Sequence, residues 1–79
     1  MSEMRDFVEY VVRHLVDIPK EIQVTERVGE HTSVYELHVA KGDFGKVVGK
    51  RGQNAQALRT IIGAVSAKAG KRAFFEIVE

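Results

Sequence analysis

The chain has no cysteine, a single proline and no apolar run of membrane-spanning length among its 79 residues. Without thiols it can form no disulfide and carry out no thiolate chemistry. A domain of this size without covalent staples fits a reducing cytoplasm. The short apolar runs exclude a transmembrane helix, and Glu3, Arg5 and Asp6 stand where a signal peptide would begin its apolar core. Catalytic groupings are missing as well. No Ser/His/Asp or paired-carboxylate arrangement stands out, and His31 and His38 lack metal-site spacing with each other or with a carboxylate cluster. His14 lies among apolar neighbours with no catalytic partner nearby in sequence, so it reads as a helix-surface or core-edge residue. A chain this short builds one small core, burying about 60% of the surface of its unfolded form, and offers little walled pocket. It reads as non-enzymatic, with no cofactor and no metal.

Acids are scarce in one half. Residues 41–79 hold eight cations against three acids, a net of +5, and Asp43 is the single acid between 41 and 72. Residues 1–40 hold four cations against eight acids, a net of −4. The total of +1 therefore hides a separation that predicts a basic face and an acidic face. Polyanions should bind in one place on such a molecule.

What is present is ordered along the chain. Ser2 is a candidate cap, with Glu3 and Asp6 in the first turn of a helix. Phe7, Val8, Val11, Val12, Leu15 and Val16 make its apolar stripe, and Asp17-Ile18-Pro19 stops it, because the residue before proline resists helical geometry. Ile22, Val24 and Val28 alternate with polar residues as a strand, although Glu26 breaks the register. After the turn candidate Gly29-Glu30-His31, residues Ser33, Tyr35, Leu37 and Val39 mark a second strand, which predicts a hairpin. Asp43 is placed to cap a short helix from which Phe44, Val47 and Val48 pack on the sheet; Gly45 weakens that helix by about 1 kcal/mol relative to alanine. A longer helix follows from Gln53 to Ala69, its apolar face being Ala55, Leu58, Ile61, Ile62, Val65 and Ala69, with Gly70 as the stop. Ala73 to Val78 reads as the last strand. The order is α-β-β-α-α-β. Its first two strands are antiparallel, and the helical crossover makes the third parallel to the second. The fold class is α+β: a mixed three-stranded sheet with helices packed on one face.

Between the two later helices lies Gly49-Lys50-Arg51-Gly52. Glycines at both ends allow a tight turn and close approach of another backbone. The N–H groups and dipole at the start of the next helix favour an anion, and two cations project from the tip. A phosphate suits such a place. The nucleotide-phosphate loop of the Walker type does not fit, since three residues separate Gly45 from Gly49 and Arg51 follows the lysine where a magnesium-binding hydroxyl is needed. No G-x-G-x-x-G occurs either.

G-x-x-G with basic middle residues, between two short helices, resembles the signature loop of KH domains, which clamp about four nucleotides of single-stranded nucleic acid. Val47 to Ala55 fits that motif without gaps, and the whole chain is similar to the small bacterial single-KH proteins of the KhpA type. The resemblance implies one type II KH domain over residues 1–79. It implies a single-stranded RNA-binding protein, acting as an RNA chaperone or post-transcriptional regulator in the cytoplasm, that pairs with a second KH-containing RNA-binding protein or with itself. On this reading Lys50, Arg51 and the backbone N–H groups near Gly52 to Asn54 hold phosphates. Val47, Val48, Ala55 and Leu58 are candidates for an apolar floor under the bases, and Gln53, Asn54, Gln56 and Arg59 for polar contacts along the groove. Phe44 is the one aromatic close to the loop in sequence, so stacking cannot dominate as it does in RRM sheets. The competing reading is a KH-fold interaction or dimerisation module that binds no RNA, in which the glycines merely link two helices.

Overall fold

The computed structural model describes residues 3–79. The cap expected at Ser2 lies outside the described residues. The elements run α1 (Glu3–Arg13), β1 (Gln23–Val28), β2 (Thr32–His38), α2 (Phe44–Val48), α3 (Gln53–Lys68) and β3 (Arg72–Val78), with 3-10 turns at Pro19–Glu21, Lys41–Asp43 and Lys50–Gly52. β2 is the central strand, antiparallel to β1 and parallel to β3. The α+β class and the type II KH order are those read from the sequence.

Strand period two sorts the sheet into two faces. Ser33, Tyr35 and Leu37 of β2 are buried, and the residues beside them in register are Ala73, Phe75 and Ile77 on β3 and Val28, Glu26 and Val24 on β1. Helices cover this face. Val8 and Val12 from α1, Val47 from α2, and Leu58 and Ile62 from α3 complete a core with Val24, Tyr35, Leu37 and Phe75. Each such aliphatic side chain contributes about 1.5–3 kcal/mol through burial. The opposite face carries Val34 and Glu36 on the central strand, flanked by the exposed Thr25, Arg27, Phe74 and Glu76.

The structure departs from the sequence expectation in several places. The α-helix proper ends at Arg13. His14 and Leu15 then donate to the carbonyls of Val11 and Val12, a tighter winding that satisfies the last turn while keeping Leu15 and Val16 half-buried. Ile22 falls just outside β1, and Glu26 is half-buried at its break in register. The face of α3 is divided: Ala55, Leu58, Ile62 and Ser66 are buried, whereas Ile61 and Val65 remain 43% and 53% exposed and Ala69 is exposed. The apolar arc of α3 is wider than the sheet beneath it can cover.

Asp43 does not cap α2. Its buried carboxylate instead accepts the N–H groups of Asp17 at 3.1 Å and Ile18 at 3.0 Å. It therefore fastens the chain leaving α1 to the start of the α2–loop–α3 unit. Gly70 behaves as expected. At φ 78° it ends α3, its N–H donating to Ala67 and that of Lys71 to Ser66, the paired bonds of a Schellman stop.

Candidate nucleic-acid interface

Three residues of the loop occupy the left-handed half of backbone space: Gly49 at φ 79°, Arg51 at 56° and Gly52 at 75°. The two glycines are required for different reasons. A Cβ on Gly49 would lie 2.7 Å from Cγ of Asn54, so its lack of a side chain is a packing necessity as well as a conformational one. Gly52 has open space around the same point, and its backbone is its constraint.

Gly52 donates to the Gly49 carbonyl at 3.1 Å and Gln53 to that of Lys50. These bonds close the turn, so two of the N–H groups expected to meet phosphate are already engaged by the loop itself. Among the described residues no side chain caps α3, whose first turn begins at Gln53 directly after Gly52. The positive end of its dipole is left for solvent or a ligand.

The side chains of Lys50 and Arg51 are exposed, and among the described residues neither has an acid within 4 Å. Neighbouring cations are occupied. Lys46 pairs with Asp17 and lies 3.8 Å from Asp43. The hydrogen bond to Asp17 holds its pKa above the ordinary lysine value, against the opposing pull of desolvation. Burial pushes the Asp43 carboxyl up, but the N–H groups of Asp17 and Ile18 together with the charge of Lys46 outweigh it and hold the group below the ordinary aspartate value.

The other candidate residues separate by position. Val47 is fully buried, and Ala55 and Leu58 are 3% exposed, so they hold α2 and α3 together from beneath and present no floor to a base. Val48 is half-buried at the end of α2, where an edge can be reached. Asn54 donates from Nδ2 to the Lys46 carbonyl at 3.1 Å, bracing the loop across the gap between helices. Gln53 and Gln56 are exposed on the first turns of α3. Arg59, one turn further, reaches β3, its Nε donating to the Phe75 carbonyl at 3.3 Å. The sequence shows Asp17 as a helix stop and Asp43 as a helix cap; their joint grip on Lys46 and on the α1 exit becomes visible only when residues 26 apart meet.

Set beside known proteins, this geometry has a clear relation. The family model "KhpA/KhpB, KH domain" matches residues 5–77. The chain belongs to the KhpA/KhpB KH-domain family. It is 48% identical over 79 residues to the RNA-binding protein KhpA of Aquifex aeolicus, covering all of both chains. Identity to the protein of that name from Clostridium acetobutylicum is 45% over 75 residues, covering 95% of this chain and all of the relative. To the one from Chlamydia pneumoniae it is 42% over 76 residues, covering 96% and 97%. These KhpA proteins are named for binding RNA and not for a reaction. No solved structure matches the chain.

Proposed function

We propose that the protein is a single-stranded RNA-binding protein, one KH domain that clamps about four nucleotides at Gly49-Lys50-Arg51-Gly52. One observation carries this reading. Lys50 and Arg51 project, unpaired with any acid among the described residues, from a turn with positive φ at Gly49, Arg51 and Gly52, at the start of α3, which no described side chain caps. Phosphates bind the two cations and the dipole end, and the bare glycines let the sugar–phosphate chain approach the backbone. Val48, Gln53, Gln56 and Arg59 border the path of the bases, while Val47 and Asn54 keep the clamp in shape. Contacts of this kind read sequence weakly, which suits an RNA chaperone or post-transcriptional regulator of the cytoplasm. The names of the KhpA relatives support the RNA part of the reading.

The test is a fluorescence-anisotropy titration of a labelled single-stranded oligoribonucleotide with Lys50→Asp/Arg51→Asp. Both side chains are exposed, so stability should move by only about 0.5 kcal/mol. Affinity should fall at least tenfold while the melting temperature and circular dichroism stay near wild type. Wild-type affinity in the folded double variant would remove the loop from the site.

A second reading, pairing with another KH chain or with a second copy, rests on a concavity that is not at the loop. This apolar groove of about 440 Å³ runs between α1, the hairpin and the later half of α3, with Phe7, Ile61 and Val65 exposed along it. Such a pairing would lengthen a short RNA footprint, and it adds to RNA binding without replacing it. Val65→Glu should abolish self-association measured by sedimentation if the groove is the contact. A wild-type chain that stays monomeric at high concentration and captures no KH partner would end this reading.

A further inference from the structure

We propose that the outer edge of β3 pairs antiparallel with the same edge of a second copy, about a two-fold axis at Phe74, so that two sheets become one continuous sheet. The strand order leaves β3 open on one side. It runs in register with β2 from Arg72 to Val78 without a bulge, and no proline lies in it. Bulges and prolines are common means of blunting an edge against association, and this edge lacks both. The N–H of Arg72 donates to the His31 carbonyl on the β2 side. Main-chain groups alternate sides along a strand, so Ala73, Phe75 and Ile77 turn theirs outward. The Phe75 carbonyl accepts from Nε of Arg59 at 3.3 Å, and a carbonyl oxygen has room for a second donor.

The side chains select the occupant. Arg72, Phe74 and Glu76 stand in that order on the open face of β3. Turned about a two-fold axis at Phe74, the row meets its own complement. Arg72 faces Glu76 of the second copy, Phe74 faces Phe74, and Glu76 faces Arg72. Within one chain neither charge has an opposite partner within 4 Å among the described residues. Phe74 is 43% exposed, with the guanidinium carbon of Arg72 5.3 Å from its ring centroid. On the core face Ala73 comes opposite Phe75 of the second copy, a small residue against a large one. Both point their main-chain groups outward, so they exchange both hydrogen bonds. Phe74 then meets its mate at a non-hydrogen-bonded position, where Cα atoms approach to about 4.5 Å and side chains pack closely. Centred on Phe75 or Ala73 instead, Glu76 falls opposite Phe74 or Gly70, and the charges no longer meet. α3 leaves room for the approach. Its flank toward this edge carries Arg59, Gly63 and Ala67 at four-residue spacing, and a Cβ on Gly63 would meet nothing within 4 Å. Ile61 and Val65, which line the apolar groove, lie on the other flank. The edge and the groove are separate surfaces, and a chain paired through β3 keeps its groove for another partner.

The experiment is sedimentation equilibrium on the full chain from about 10 μM to about 1 mM. Wild type should dimerise reversibly. Arg72→Glu and Glu76→Arg each place like charges opposite one another on both sides of the axis, and each should weaken self-association about tenfold. An equimolar mixture of the two variants should associate as wild type does, and so should the exchange Arg72→Glu/Glu76→Arg within one chain. Phe74→Cys supplies the only thiol of the chain, at a Cα spacing that a disulfide spans, and should cross-link in oxidised glutathione. Thr25→Cys, on the open face of the far strand, should not. All four positions are exposed, so circular dichroism should stay near wild type. Val65→Glu should leave the β3 dimer intact. A wild type that stays monomeric at about 1 mM overturns the proposal. So does a dimer that withstands both charge reversals and forms no cross-link through Phe74→Cys; if Val65→Glu then dissociates it, the groove is the contact and the second reading above stands.

Discussion

Arg51 is the one described non-glycine residue at positive φ. A left-handed backbone costs an L-residue roughly 1–2 kcal/mol, and such strain persists where the surroundings over-determine it. Arg51→Gly should relieve it, melting at or above wild type, and still bind RNA about tenfold more weakly for want of one phosphate contact. A variant that melts lower would show that the arginine holds the loop. The two glycines should part company in the same assay. Gly49→Ala meets Asn54 at 2.7 Å and an unfavourable φ together, so it should lower the melting temperature more than Gly52→Ala, which meets only the strained φ of 75° in open space. Gly52→Asp should keep the fold, since aspartate tolerates this conformation, and block the close approach of RNA. From the sequence the glycines look equivalent, because the spacing G-x-x-G says nothing of what stands opposite each Cα. The residue types of the proposed clamp stand in the sequence; that Asn54 and Val47 are supports while Lys50 and Arg51 are exposed depends on α2 lying against α3.

Elements were readable where a local rule decides them. Alternation at Ser33, Tyr35 and Leu37 announced β2, and Gly70 announced the end of α3, because each signal lies within a few residues of its effect. Asp43 was misread for the opposite reason. Its partners, the N–H groups of Asp17 and Ile18, are far away in sequence, and their demand outranks the cap it could have given α2. This carboxylate joins α1 to the unit that carries the loop, and its titration should be visible in stability. Its folded pKa lies below the unfolded value near 3.8, so the stabilisation is complete above that value and is lost as pH falls through the lower folded pKa. Urea midpoints should therefore drop as the pH is lowered past 3.8. Asp43→Asn replaces an acceptor oxygen with an NH₂ facing a backbone N–H. It should melt several degrees lower at neutral pH and show a flatter acid limb than wild type. An unchanged acid limb would mean that other carboxylates govern acid unfolding.

At the scale of the whole molecule, net charge describes the protein poorly. The sequence separates −4 from +5 between residues 1–40 and 41–79, and the fold then redistributes those charges. Glu9 sits between Arg5 and Arg13 on α1, Arg27 pairs with Glu36 across the hairpin, and Asp17 and Asp43 draw off Lys46. Lys50 and Arg51 keep their charge for a ligand, as do the exposed Lys41 and Lys68 elsewhere in the basic half. The electrostatic part of binding should accordingly be small and localised. Each phosphate neutralised on a single strand contributes about −0.7 to the slope of log affinity against log salt. Two to four contacts then predict a slope of about −1.5 to −3. A diffuse basic surface would give a steeper slope and would hold duplex as readily as single strand, because a duplex carries the denser line of phosphates. A clamp that admits one backbone and borders its bases should discriminate: duplex DNA added to the titration should compete weakly with single-stranded RNA at every salt concentration. Equal competition by the duplex, whatever the slope, would leave a generic basic patch in place of a clamp.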